Sequence, residues 1–153
     1  PGRERASLHP LFAPSSEPGN LAVVVGSEGP VIGTVREALA DRGNDLFETT
    51  TEEHDEAMRT VQARAHAAIL AYALAAEDVP ERFHTPVSGA LEAVAGRVTG
   101  NEPSVYAEIQ SAFPGAADVA EAASRIAEAD PPEFERLYRE AAGGPGTDGG
   151  EEP

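Results

Sequence analysis

The chain has 153 residues, 41% of them hydrophobic, with 27 acidic side chains against 11 basic ones, a formal charge of −16 and no cysteine. That length can bury a real core but is small for a complete two-domain enzyme. Without cysteine there are no disulfides, thiolate metal sites or cysteine nucleophiles, and an acid surplus on this scale repels nucleic acid and anionic membranes, so neither is an expected partner.

Every basic residue is arginine, and the acidic residues are spread along the chain rather than gathered in one tail. Self-repulsion of this kind is tolerable where salt screens it, since the Debye length falls to ~3 Å at 1 M salt. The balance reads as adaptation to a salt-rich cytoplasm. The chain opens on Pro1 rather than Met, which points to a processed or truncated product, and it carries no secretory or transmembrane pattern, so a cytoplasmic protein is expected.

In chain order, Ala6 to Leu8 form a short apolar patch, and Ser7 to His9 read as a strand end running into a loop fixed by Pro10, Pro14 and Pro18. LAVVV at 21–25, bounded by Gly26, predicts a buried strand. Pro30 at a first turn, Val31, Val35, Ala38 and Leu39 on one face and Gly43 at the end predict a helix, and DLFETT at 45–50 a further strand. Strand, helix, strand implies a right-handed crossover between parallel strands. Two or three parallel strands with one helix would leave a sheet edge uncovered. Residues 1–48 therefore read as the last part of a larger sheet, or as a sheet whose edge another chain covers. The glycines of GSEGPVIG do not make a dinucleotide loop, because the second and third positions of G-x-G-x-x-G hold Glu28 and Val31. Glu28 would set negative charge where a pyrophosphate sits, and Pro30 lacks an N–H, so the stretch reads as a tight turn and helix start.

Thr49 to Ala76 predicts one long helix. Thr50 and Glu53 have capping-box spacing, no glycine or proline follows until Pro80, and Met58, Val61, Ala65, Ala68, Tyr72 and Ala75 form an apolar stripe. From Ala67 to Ala76 the other faces are apolar too, so the helix should be enclosed by its own domain or by a second subunit. That run is far short of the ~20 residues needed to span a bilayer. VPERFHTP is a connector with one short turn. Thr85 and Pro86 then start a helix with Val87, Leu91, Val94, Ala95 and Val98 inward, ending before Gly100. Asn101 is expected to cap the next, with Val105, Ile109, Ala112 and Phe113 inward and Pro114-Gly115 as its stop. Val119, Ala122, Ala123 and Ile126 mark a fourth helix, and Asp130-Pro131 opens a fifth with Phe134, Leu137, Tyr138 and Ala141 inward. The organisation is thus a short α/β segment (1–48), a helical region (49–142) and a flexible acidic tail (143–153).

His9, His54, His66 and His84 are the side chains that titrate near neutral pH. On an unbroken α-helix His54 and His66 lie ~120° apart, so they do not form the i, i+4 pair of a metal site, and no metal is expected. A helical histidine taken singly is more often a hydrogen-bonded structural group. His9 differs, because it stands at a strand end beside proline in an apolar loop, where α/β folds place reacting groups and where imidazole supplies a general base with little tuning. Serine-hydrolase chemistry is not supported: there is no G-x-S-x-G, and Ser88 has no nucleophile turn around it.

LHPLFAP at 8–14, EEHDEAM at 52–58, the VQxxxH pattern at 61–66, TPVSGALEAVAGR at 85–97 and VYAEI at 105–109 together resemble the prephenate dehydrogenases of tyrosine biosynthesis, in order and spacing, from His9 to about Tyr138. The resemblance implies NAD(P)-dependent oxidative decarboxylation of prephenate to 4-hydroxyphenylpyruvate, with His9 accepting the proton of the ring hydroxyl. It places His54, Gln62 and His66 on the substrate side. It also implies a mainly α fold: a helical, homodimerising domain like the C-terminal domain of 6-phosphogluconate dehydrogenase, preceded by the end of a Rossmann-type domain. Two departures stand out. The family's nucleotide-binding half would precede Pro1, so NAD or NADP is expected for a longer protein and not tightly bound to this chain. The family's substrate-binding arginine falls at Gly89, leaving Arg97, or Arg59 or Arg64, as the cation for an anionic substrate. The rival expectation is a non-catalytic helical dimer acting as a binding or regulatory module.

Overall fold

The computed structural model describes residues 3–143; of the acidic tail read at 143–153, residues 144–153 lie outside the described residues. Strand β1 (Arg5–Pro10) and strand β2 (Asn20–Ser27) are followed by helix α1 (Pro30–Asp41) and strand β3 (Asp45–Glu48). β2 is central in the order β1-β2-β3, antiparallel to β1 and parallel to β3. The parallel pair around α1 matches the expected crossover. β1 does not join it as a third parallel strand: the chain turns back between Pro10 and Asn20, where Leu11 N–H donates to Asn20 O, and a return this short permits only antiparallel pairing.

Leu21, Ala22 and Val23 are buried in succession, so both faces of β2 are covered, as its unbroken apolar run predicts. α1 turns only part of the expected stripe inward. Val31, Val35 and Ala38 are exposed, Leu39 is half-buried as expected, and Ile32 and Arg36 are half-buried beside it, Arg36 reaching Glu48 of β3 at 2.5 Å. Gly43, at φ +90°, closes the helix in the left-handed region that favours glycine. Asn44 behind it is buried with its amide satisfied, accepting from Gly19 N–H and donating to Leu39 O and Glu17. The N-terminus of α1 is closed from within: the Glu4 carboxylate accepts from Val31 and Ile32 N–H at 2.9 and 3.1 Å, over Gly29, where a Cβ would collide with it.

The long helical run forms, but not as one α-helix. α2 (Thr51–Met58) passes through a π-helical segment, Arg59–Arg64, into α3 (Ala65–Ala75). A π turn adds a residue to the repeat, so the inward positions are Met58 and Ala63, five apart, and the expected stripe fails at Val61, which is 57% exposed. The ~120° separation of His54 and His66 assumed an unbroken α pitch and does not apply. The capping box is half-formed: Thr50 accepts from Glu53 N–H, but the Glu53 carboxylate takes the Thr49 hydroxyl instead of returning to Thr50.

A single 3-10 turn, Glu81–Phe83, leads to α4 (Pro86–Thr99), where Thr85 and Ser88 form a full capping box. α5 (Pro103–Ala112), α6 (Ala116–Glu128) and α7 (Pro131–Ala142) follow, the last capped by Asp130. Asn101 does not cap α5. Its amide donates back to Arg97 O at 2.7 Å and to the Tyr106 hydroxyl at 3.0 Å, serving the end of α4 instead. The chain divides into two compact units, Pro1–Val61 and Gln62–Pro153, so α2 groups with the sheet and α3 with the later helices. Among the described residues, no helix is long and apolar enough to cross a membrane.

Candidate active site

In the first unit, cross-strand pairing and helix periodicity converge on one cleft. Ser7 of β1 faces Val24 of β2, and His9 faces Ala22, so alternate residues of two paired strands line one side of the sheet. Pro10 holds His9 extended, since the residue before proline is pushed out of the helical region, and Pro10 itself is tolerated at the end of an edge strand. Opposite stand Thr51, His54 and Asp55 of α2, at i, i+3 and i+4 on one helical face. Thr49 N–H donates to Val23 O at 3.0 Å, which fixes the start of α2 against β2. Together these residues enclose about 170 Å³.

Inside the cleft, His9 Nδ1 lies 2.8 Å from His54 Nε2, the rings meeting edge to face at 61°. His54 Nδ1 in turn lies 2.9 Å from Asp55 Oδ1. The His54 side chain is 15% exposed and Asp55 56%, so the series runs from cleft to solvent. Burial first, and then repulsion from His54, hold His9 below the ordinary imidazole value, which keeps its ring neutral and basic at neutral pH. Geometry of this kind suits proton transfer to His9. Asp55 and Thr51 were not singled out in the sequence. Asp55 stands in the EEHDEAM stretch, but in so acidic a chain its carboxylate carried no distinguishing signal.

The other sequence-predicted residues, His66, Gln62 and Arg97, belong to the second unit. His66 packs edge to face on Tyr106 of α5 with centroids 4.8 Å apart. Burial lowers its pKa as well, and its Nδ1 is buried without a hydrogen-bond partner among the described residues. Gln62 is half-buried within the π segment. The same segment is held by Gln110, whose Nε2 donates to Ala63 O at 2.9 Å while its Oε1 is buried without a partner among the described residues. Neither Tyr106 nor Gln110 was given a role from the sequence, although VYAEI contains the first.

The cationic candidates differ in their engagement. The Arg64 guanidinium donates from Nε and Nη2 to Asp118 at 2.8 and 2.6 Å. Arg97 is exposed in the last turn of α4 and forms no ion pair among the described residues. At Gly89, in the same helix, a Cβ would meet nothing within 4 Å, so a longer side chain has room there. The β2–α1 turn does not fit a dinucleotide phosphate: the helix N–H groups that would receive it already bind Glu4, and Pro30 supplies none.

No family model matches the chain. Over 167 aligned residues it is 31% identical to the 4-amino-4-deoxyprephenate dehydrogenase of Streptomyces pristinaespiralis, covering 99% of its own length and 56% of the relative's. The chain thus spans about half the length of the curated relative it matches, a dehydrogenase of the prephenate type.

Proposed function

We propose that this chain is the C-terminal part of a prephenate-type dehydrogenase, which carries out NAD(P)-dependent oxidative decarboxylation with His9 as the base. One observation carries the reading: a half-buried histidine at a strand end, kept neutral by its surroundings and hydrogen-bonded through a second histidine to a carboxylate. The similarity to a 4-amino-4-deoxyprephenate dehydrogenase supports the same chemistry independently of that geometry.

In the reaction, the ring carbon loses hydride while its substituent loses a proton. With prephenate the proton comes from a hydroxyl; the ring carboxylate leaves as CO2 from the opposite carbon, its bonding pair aromatises the ring, and the oxygen regains a proton, giving 4-hydroxyphenylpyruvate; with the amino counterpart the proton comes from nitrogen. His9 serves either, as imidazole is a base near neutral pH. His66, Gln62 and Arg97 are assigned to substrate contact on the resemblance. The dinucleotide is assigned to residues outside this chain's β2–α1 turn, which does not suit it. The second unit forms a homodimer through its helices, a reading supported by the apolar circumference of α3, where Leu74 is 88% exposed in the single chain.

The test is an assay of the full-length protein that carries this chain, in high salt, with prephenate and 4-amino-4-deoxyprephenate in separate arms and NAD or NADP as oxidant. Substrate-dependent NAD(P)H formation in either arm supports the reading, and the faster arm identifies the ring substituent. No reduction in any arm overturns it in favour of a non-catalytic helical dimer.

A further inference from the structure

We propose that His54 and Asp55 are positioning residues that fix the tautomer of His9, so that its Nε2 is the nitrogen that takes the proton. The inference rests on the catalytic reading of His9 above, but its structural core does not depend on which substrate is turned over.

The argument is one of donors and acceptors. An ionised carboxylate only accepts hydrogen bonds, so the 2.9 Å contact of His54 Nδ1 with Asp55 Oδ1 places a proton on that nitrogen. A neutral imidazole carries one proton, so His54 Nε2 presents its lone pair. The 2.8 Å contact with His9 Nδ1 then requires the proton to sit on His9 Nδ1. His9 Nε2 is left as the basic nitrogen. With both ring nitrogens of His54 engaged in this way, it acts on the substrate through His9 rather than by direct contact.

When His9 accepts a proton at Nε2 it becomes imidazolium. Its Nδ1–H then points at the lone pair of His54, whose other ring nitrogen faces the Asp55 carboxylate. Lining the cleft, β1 contributes Ser7 and His9, β2 contributes Ala22 and Val24, and α2 contributes Thr51, His54 and Asp55. Besides His9, the titratable groups among these lining residues are His54 and Asp55.

The direct test is long-range proton–nitrogen correlation on the imidazoles of the intact ¹⁵N-labelled chain near pH 8, assigned with single His→Gln variants. The expected result is the Nδ1–H form for both His9 and His54. Asp55→Ala removes an exposed carboxylate that hydrogen-bonds His54. Unrestrained imidazole prefers the Nε2–H form, so His54 should turn into a donor in this variant and His9 should shift toward Nε2–H. A wild-type His9 in the Nε2–H form, or a His9 tautomer unchanged by Asp55→Ala, overturns the proposal. In the full-length protein, Asp55→Ala should lower kcat by roughly tenfold to a hundredfold with little change in KM and should move the acid limb of the pH profile. Asp55→Glu should recover part of the loss. An unchanged kcat and pH profile would defeat the positioning role. Tautomers as expected in a protein inactive on both substrates would instead count against the dehydrogenase reading and leave the coupling intact.

Discussion

The two compact units of this chain differ most in how they treat buried polar groups. In the first, β2 is buried from Leu21 to Val23, the amide of the buried Asn44 is satisfied, and the histidines are hydrogen-bonded to each other and to Asp55. In the second, Leu74, Tyr138 and Ile126 are 88%, 70% and 54% exposed, while His66 Nδ1 and Gln110 Oε1 are buried without partners among the described residues. A buried polar atom without a partner costs about 1–3 kcal/mol, and exposed apolar residues of this size forgo their burial energy. On the function proposed above the units have different tasks: the first holds the base and its hydrogen-bonded partners, and the second presents surfaces and polar atoms that a ligand or another subunit would complete.

The largest effect that could break this contrast is on turnover. His9→Asn in the full-length protein should lower kcat by about 10²–10⁴-fold, the usual worth of a general base, with no change in melting temperature beyond a degree or so. His66→Asn should act mainly on KM. If the two variants exchange these signatures, the reacting group lies in the second unit. Next in size is Gly115→Ala. A Cβ there would come within 2.9 Å of both the Ala63 Cβ and the Arg64 backbone N in the π segment, and backbone does not give way cheaply. Overpacking of this kind costs about 1–3 kcal/mol. Chemical denaturation of the intact chain reads this cost, and a neutral result would mean that the π segment is pliable rather than built.

Features of the sequence that depend on local chemistry were legible. The apolar run of β2, Pro30 and Gly43 around α1, Thr85 before α4 and Asp130 before α7 each act within a turn or two of the chain, and each does as expected. Expectations failed where a distant partner decided. β1 runs antiparallel because of how it pairs, and Asn101 turns back to Arg97 O and Tyr106. The π segment has no glycine or proline to announce it. His9 could be picked out from its place before proline at a strand end. Its link to His54 could not, because a separation of 45 residues leaves no trace in spacing.

A smaller effect is expected at Gly89. Its position on α4 is half-buried with open space around the Cβ, and exchanging a mid-helix glycine for arginine also improves helix propensity. Gly89→Arg should lower KM for an anionic substrate by about tenfold through one charge-assisted pair and leave kcat nearly unchanged. Steady-state kinetics of the full-length variant measure both, and an unaltered KM would place the substrate's carboxylates elsewhere.

The smallest effect is the dependence of stability on pH, and it bears on both units at once. Burial holds His9 and His66 below their ordinary value of 6.5. Between the folded and unfolded values the unfolded chain binds more protons, so stability rises with pH across that window. Their contribution is therefore fully present above pH 6.5 and is lost as pH falls toward the lowered folded-state values. Melting curves of the intact chain between pH 8 and 5 should show a monotonic decline. His9→Asn and His66→Asn should each remove part of the slope, and their relative shares report which unit resists protonation more strongly. A slope unaffected by either substitution would rule out both histidines as the source of the decline.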